Sequence, residues 1–350
     1  MENSATPNLH PMRLGELLDQ AIRIYRRNFF TFVGIVALGY IPYSFFQISA
    51  SVLSVYSTMS MLSNMSELLL SPLYWLSLVG SLFALFIEVI FVEGLCVPVT
   101  MSAITKHHFG QPVGILEAYR KFGSTWGRAL SAVIMMIILM IGALIWFIVP
   151  IVGWLTGIGL MLFLGGVVWH LLPAVVVNEK IGGMNAVSRA WDLARRRFWW
   201  LVGFSLLFWL FELLIVIGPS QLLSALTGDW FVNILPFESA QSLSTMVTAL
   251  SSSLVQLLIF PIQLIAWNLV YFDLRVRTEG FDLNLATMTP SEDISADIAS
   301  IPATPHATRW ITTDEVGKFI VITLVVLGIC ALAIGLTIFL GFGLRNLLGL

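Results

Sequence analysis

Residues 182–207, GGMNAVSRAWDLARRRFWWLVGFSLL, carry a pattern that recurs along the chain. Met184, Val187, Trp191, Ala194 and Phe198 recur at spacings of three and four, which predicts one apolar face of a helix. Asn185, Ser188, Arg189, Asp192, Arg195 and Arg196 fill the remainder. Arg195, Arg196 and Arg197 then meet Phe198, Trp199 and Trp200, and an apolar run follows. Arginines beside aromatics at the end of an amphipathic helix predict a helix on a membrane surface, before the chain enters the bilayer. Residues 13–28 repeat the pattern, with Leu14, Leu17, Leu18, Ala21 and Tyr25 apolar and Arg23, Arg26 and Arg27 on the headgroup side. It occurs again where Ile115, Tyr119, Phe122 and Trp126 form the apolar face beside Arg120, Lys121 and Arg128.

Between these helices the apolar runs predict seven spans. Span 1 runs from about Phe29 to Leu53 with Pro42 inside, and span 2 from about Leu73 to Thr105 with Glu88, Glu93 and Pro98. From Ala129 to Trp169 no residue carries a formal charge; these 41 residues are twice the ~20 a span needs. Pro150 and Gly153 break that stretch into a tight hairpin, spans 3 and 4, with Pro173 near the end of span 4. Span 5 carries Glu212 and ends near Gly218 and Pro219; span 6 runs from about Leu250 to Tyr271 with Pro261 inside. Residues 54–72 and 220–248 read as loops on the side away from the basic residues. Residues 284–313, rich in Ser, Thr, Pro, Ala and Asp, read as a disordered linker. Span 7 lies between Lys318 and Arg345. The domain division is therefore a tail (1–12), a six-span domain (13–283), a linker (284–313) and an added span (314–350). The fold class is all-α and polytopic.

Composition agrees: 58% of residues are apolar and 11% charged, against roughly 25% charged in a soluble domain. The net charge of −2 hides a segregation of signs. Seventeen of the 18 Lys and Arg fall on the N-terminal side of the membrane, and only Arg345 falls on the other. The positive-inside rule then places the N-terminus and the amphipathic helices in the cytoplasm and the C-terminus outside. The first apolar run exceeds a cleavable signal's core and reads as a retained anchor. Cys96 and Cys330 lie in apolar runs and suggest neither a disulfide nor a metal site.

The pattern also suggests an internal repeat. Phe29, Trp126 and Phe198 follow Ala21, Ala118 and Ala190 by eight residues, at the step from amphipathic helix to span. Each hairpin returns through a span holding a proline: Pro98, Pro173 and Pro261. Three parallel units follow from this, with span 7 appended. The segments RLGELLDQAIRIYRRNF, AVVVNEKIGGMNAVSRAWDLARRRFWWLVGF and NLVYFDLRVRTEGFDL resemble the membrane domain named after glycerophosphoryl diester phosphodiesterases. The resemblance covers about residues 12–285, and YFDLRVRTEGFDL is its most distinctive part. It implies a six-span helical core in a prokaryotic cytoplasmic membrane and transfers no catalytic residues. The catalytic barrel that names the family has no room outside the spans.

Glu88, Glu93, His170 and Glu212 are the intramembrane polar candidates. A carboxylate within a span costs on the order of 2.5–3.5 kcal/mol and usually faces a bundle interior or water. Five residues apart on an α-helix, Glu88 and Glu93 stand about 140° from each other. Should these side chains converge, a proton relay or cation site results; otherwise each is held locally. Arg23, Arg26, Arg27, Arg120, Lys121, Arg128, Arg189, Arg195, Arg196 and Arg197 are candidates for anionic lipid headgroups, at ~1 kcal/mol per charge, or simply set topology. His107 and His108 lack a second pair at metal-ligand spacing. Gly153 with Gly157, and Ala331 with Gly335, favour close helix packing and are compatible with a homo-oligomer. Trp126, Trp191, Trp199 and Trp200 read as interfacial anchors. No phosphate loop, nucleophile elbow or zinc-protease motif is present. The expectation is a non-enzymatic, lipid-associated or scaffolding membrane protein without cofactor, metal or nucleic-acid partner. The alternative is a transporter of a small or lipid-like solute.

Overall fold

The computed structural model describes residues 10–63, 71–111, 113–287, 294–302 and 311–348. Its elements are α1 (Leu14–Arg27), α2 (Phe29–Ser63), α3 (Pro72–Ile87), α4 (Val97–His108), α5 (Ile115–Trp146), α6 (Val152–Phe163) and α7 (Trp169–Glu179). They continue as α8 (Gly183–Arg196), α9 (Phe198–Glu212), α10 (Gly218–Val232), α11 (Phe237–Glu279), α12 (Phe281–Thr287), α13 (Ile294–Ser300) and α14 (Thr313–Leu348). Among the described residues seven helical segments are long and apolar enough to cross a membrane, so the chain is an all-α, multi-pass membrane protein.

Two of the three amphipathic helices are separate elements. Asn28 and Arg197 each leave helical geometry, at φ −127° and −129°, so α1 and α8 stop before the spans that follow. Asn28 closes α1 by donating from Nδ2 to the Ile24 carbonyl (3.1 Å). The second amphipathic stretch differs from expectation: α5 runs unbroken from Ile115 through the span, because no residue leaves the helical ladder between Tyr119 and Ala129. The expected loops differ as well. Helix α2 continues to Ser63, and α10 occupies Gly218–Val232. Pro219 does not end the helix, because the turn before it widens to π geometry at Leu213–Ile217 and the helix runs on to Val232. Within the expected linker, α13 is ordered, with Ile298 and Ile301 buried; residues 288–293 and 303–310 lie outside the described residues.

Three π-helical stretches interrupt the spans: Glu88–Cys96, Leu164–Val168 and Leu213–Ile217. A proline follows each, Pro98, Pro173 and Pro219. Proline lacks an N–H and its ring crowds the carbonyl four residues back, so the preceding turn widens to i→i+5 bonding.

Helix α11 is the hub. It packs along α2 and α10 and touches α1, α4, α7 and α8. At its centre Asn268 joins a closed polar ring. The Thr105 hydroxyl donates to Asn178 Oδ1 (2.9 Å), Asn178 Nδ2 to Asn268 Oδ1 (3.2 Å), and Asn268 Nδ2 to Thr105 Oγ1 (3.1 Å). The return span of each repeat unit thus contributes one member. Two turns on, α11 ends in buried ion pairs. Arg189 of α8, itself 0% exposed, binds Glu179 at 2.9 and 3.0 Å and Glu279 at 2.7 and 2.8 Å. Arg275 donates to Glu279 (2.9 Å), to the Tyr271 hydroxyl (3.2 Å) and to the Ile301 carbonyl (3.3 Å), which fastens α13. Burial works against the charge of Arg189, but its bonds to Glu279 and Glu179 outweigh that and hold its pKa above the ordinary arginine value. A neighbouring set centres on Asp273, which accepts from Arg277 (2.9 Å), Arg197 (3.0 Å) and the Met12 backbone N–H (2.8 Å).

The glycine pair in α6 packs within the chain. A Cβ at Gly153 would meet the Trp146 carbonyl oxygen at 2.1 Å, and one at Gly157 the Phe147 ring at 2.8 Å. Helix α14 docks on α6 at Gly159, where a Cβ would lie 2.2 Å from the Phe319 carbonyl oxygen and where Gly159 N–H donates to Thr323 (3.0 Å). Gly335 has open space around its Cβ position.

Removing one partner of a buried ion pair leaves the other charge unpaired, at a cost of about 3–5 kcal/mol. Arg189→Ala should therefore lower the thermal unfolding midpoint in detergent strongly, and Arg26→Ser, on the exposed face of α1, should leave it nearly unchanged. Equal midpoints for the two variants would remove the structural role assigned to Arg189.

Candidate functional site

Polar recesses lie at both ends of the bundle among the described residues. The first is a groove of about 320 Å³ between α2 and α3, lined by Tyr43, Gln47, Ser51, Ser54, Ser81 and Glu88. Counting from Phe29, Tyr43 lies about 21 Å and Ser54 about 37 Å along α2, against a hydrocarbon thickness of ~30 Å. The groove therefore descends from the end opposite the arginines to the level of Glu88. Glu88 lies near the Tyr43 hydroxyl, and Glu93 near the Trp169 indole. Glu88 and Glu93 are near enough to interact electrostatically, and Tyr40 lies in the field of both Glu88 and Glu212. The widened stretch Glu88–Cys96 brings this about: with i→i+5 bonding, residues five apart stack roughly over one another instead of diverging. No Lys or Arg occurs in residues 29–105, 129–179 or 198–274, so these carboxylates have no basic partner along the first six spans. A proton or a hydrogen-bond donor must carry the cost of placing them there. His170 does not join them. Its ring stacks on Trp267 (5.3 Å, 19°) and its Nδ1 lies 3.1 Å from the Gly166 carbonyl oxygen.

The second recess is a cleft of about 730 Å³ at the basic end, between α1 and the end of α4. Glu16, Asp19, Arg23, Arg27, Asn28, His107 and His108 are among its lining residues. A smaller recess on the same face of α1 is bordered by Asp19, Ile22, Arg23, Arg26 and Arg27. No family model, curated protein or solved structure matches this chain.

The headgroup candidates divide sharply. Arg23, Arg26, Arg27 and Arg120 are exposed and make no ion pair or hydrogen bond among the described residues. Lys121 forms an exposed pair with Glu117, an arrangement worth little. Arg128 is half-buried and donates to Thr125 (3.2 Å). In α8 the expectation of a lipid-facing cluster is overturned for Arg189, which is fully buried between Glu179 and Glu279. Arg195 is bound to Asp192 and lies 3.8 Å from Glu315; Arg197 is bound to Asp273; Arg196 remains exposed, 3.9 Å from Glu279. The reason is that Glu179, Asp273, Glu279 and Glu315 converge on α8 from distant parts of the chain. Trp191 likewise is no interfacial anchor, since it is buried against Phe163 and Phe319. Trp126 and Trp199 are exposed, as anchors require, and Trp200 lies under Arg197 at 4.6 Å.

A groove open to water differs chemically from one filled by lipid. In a Cys330→Ser background, Gln47→Cys or Ser51→Cys should react with a charged maleimide in intact nanodiscs. Ile41→Cys, on the exposed apolar face of α2, should not. Absence of labelling at both groove positions would mean that the groove is dry.

Proposed function

We propose that this chain is a non-enzymatic membrane protein of the prokaryotic envelope that associates with phospholipid at its basic end. The observation that carries this reading is the division of the arginines. Those of α8 are largely consumed by carboxylates, whereas Arg23, Arg26 and Arg27 of α1 stay unpaired beside two recesses. An arginine retained on a surface without a protein partner, at the end of a bundle of apolar spans, is placed to meet headgroup phosphates. The charge bias along the sequence supports a cytoplasmic basic end, with seven spans carrying the C-terminus to the other side. The resemblance to the membrane domain of the phosphodiesterase family agrees with such a location. The test is native mass spectrometry of the protein released from nanodiscs containing phosphatidylglycerol. Changing Arg23, Arg26 and Arg27 together to Ser should reduce retained anionic lipid by about fivefold per charge. Retention equal to that of the unaltered protein would sink the reading.

A second reading, passage of a small solute, is favoured by the groove that reaches Glu88 and by Glu93 lying in the field of Glu88. It requires water in the groove. A dry groove in the labelling experiment leaves the carboxylates as hydrogen-bonded helix contacts and removes this reading.

A further inference from the structure

We propose that the cleft between α1 and the end of α4 binds a zwitterionic headgroup, a phosphate ester with a primary ammonium two carbons away. This rests on the lipid-associated reading above and names the chemistry its site selects. The cleft has an order of signs. Glu16 and Asp19 line one part of it, and Arg23 and Arg27 line the next two turns of the same helix. Asp19 and Arg23 stand four residues apart with the acid first, the arrangement in which helix neighbours, about 5–6 Å apart at Cβ, pair most readily. They do not pair, and neither they nor Arg27 make any hydrogen bond or ion pair among the described residues. An anion alone would face Glu16 and Asp19, and a cation alone would face Arg23 and Arg27. A ligand carrying both signs satisfies both.

The opposite wall adds to this. His107 lines the cleft with its Nε2 3.4 Å from the Val113 backbone, and His108 Nε2 is buried without any hydrogen-bond partner. In its Nε2–H tautomer His108 lacks an acceptor, which a phosphate oxygen would supply. The ammonium is primary and not quaternary, because carboxylates accept N–H hydrogen bonds, and because no Phe, Tyr or Trp lines the cleft. Quaternary ammonium is recognised by aromatic faces, which are lacking here.

The experiment uses the full chain in nanodiscs of phosphatidylethanolamine, phosphatidylcholine and phosphatidylglycerol with identical acyl chains, read by native mass spectrometry. Phosphatidylethanolamine should be retained over phosphatidylcholine by about fivefold, the ratio expected for one added charge contact. Asp19→Asn, at an exposed position, should abolish that preference without lowering phosphatidylglycerol retention. Arg23→Ser should lower retention of all three. Displacement of the retained lipid by soluble O-phosphoethanolamine would assign the headgroup alone as the ligand; failure to displace it would assign the intact lipid. Equal retention of the ethanolamine and choline lipids, or a preference unchanged in Asp19→Asn, would overturn the proposal. If phosphatidylglycerol retention still falls in the Arg23, Arg26 and Arg27 variant, the broader lipid reading survives that loss. If the unaltered protein retains no lipid at all, both fall together.

Discussion

Arg189 cannot be buried without its carboxylates, and that requirement ties the basic end of the molecule together. A guanidinium with 0% exposure needs opposite charge and hydrogen bonds from several directions at once. Glu179 supplies them from the end of the fourth span and Glu279 from the end of the sixth. Arg275 and Tyr271 complete the set, and Arg275 also bonds the Ile301 carbonyl, drawing in the segment after the six-span domain. Arg189 thus fixes α8 against α7 and α11, and Arg275 ties the chain at Ile301 to the same cluster. The adjacent Asp273 set performs the same task for the chain's beginning, where Met12 N–H and carbonyl are held by Asp273 and Arg277.

The hydrophobic pattern made the spans, the amphipathic helices α1 and α8 and the hairpin break near Pro150 legible. Each rests on periodicity or on a run of apolar residues, which are local properties. Arg189 was misplaced for a reason of the same kind. A helical wheel tells which side of α8 is polar, but not that four carboxylates from distant residues cover it. The YFDLRVRTEGFDL segment held the clue, since a balanced run of acids and bases at a span's end suits buried pairing as well as a headgroup layer. The approach of Glu88 and Glu93 was hidden because α-helical spacing was assumed through a stretch that Pro98 widens. Gly218–Pro219 reads as an end because glycine and proline stop helices, although a π-helical turn before the proline lets the helix pass through it.

The two ends of the bundle differ in how they treat charge. At the basic end the buried carboxylates are matched by arginines, and the arginines left unpaired include Arg120 of α5 and those of α1 beside the cleft. Toward the other end, carboxylates without basic partners sit beside tyrosine hydroxyls and an indole, at the bottom of a hydroxyl-lined groove. The Thr105–Asn178–Asn268 ring lies between these regimes and joins the three return spans. Buried pairing and exposure thereby fall to different arginines, although the sequence presents them in near-identical surroundings.

Reaction with an arginine-specific dicarbonyl reagent, followed residue by residue by mass spectrometry on the protein in nanodiscs, tests this division most directly. Arg23, Arg26, Arg27 and Arg120 should be modified rapidly, and Arg189 and Arg275 should be protected until the fold is lost. Modification of Arg189 as fast as Arg26 would contradict the buried network, and with it the separation of structural from exposed arginines.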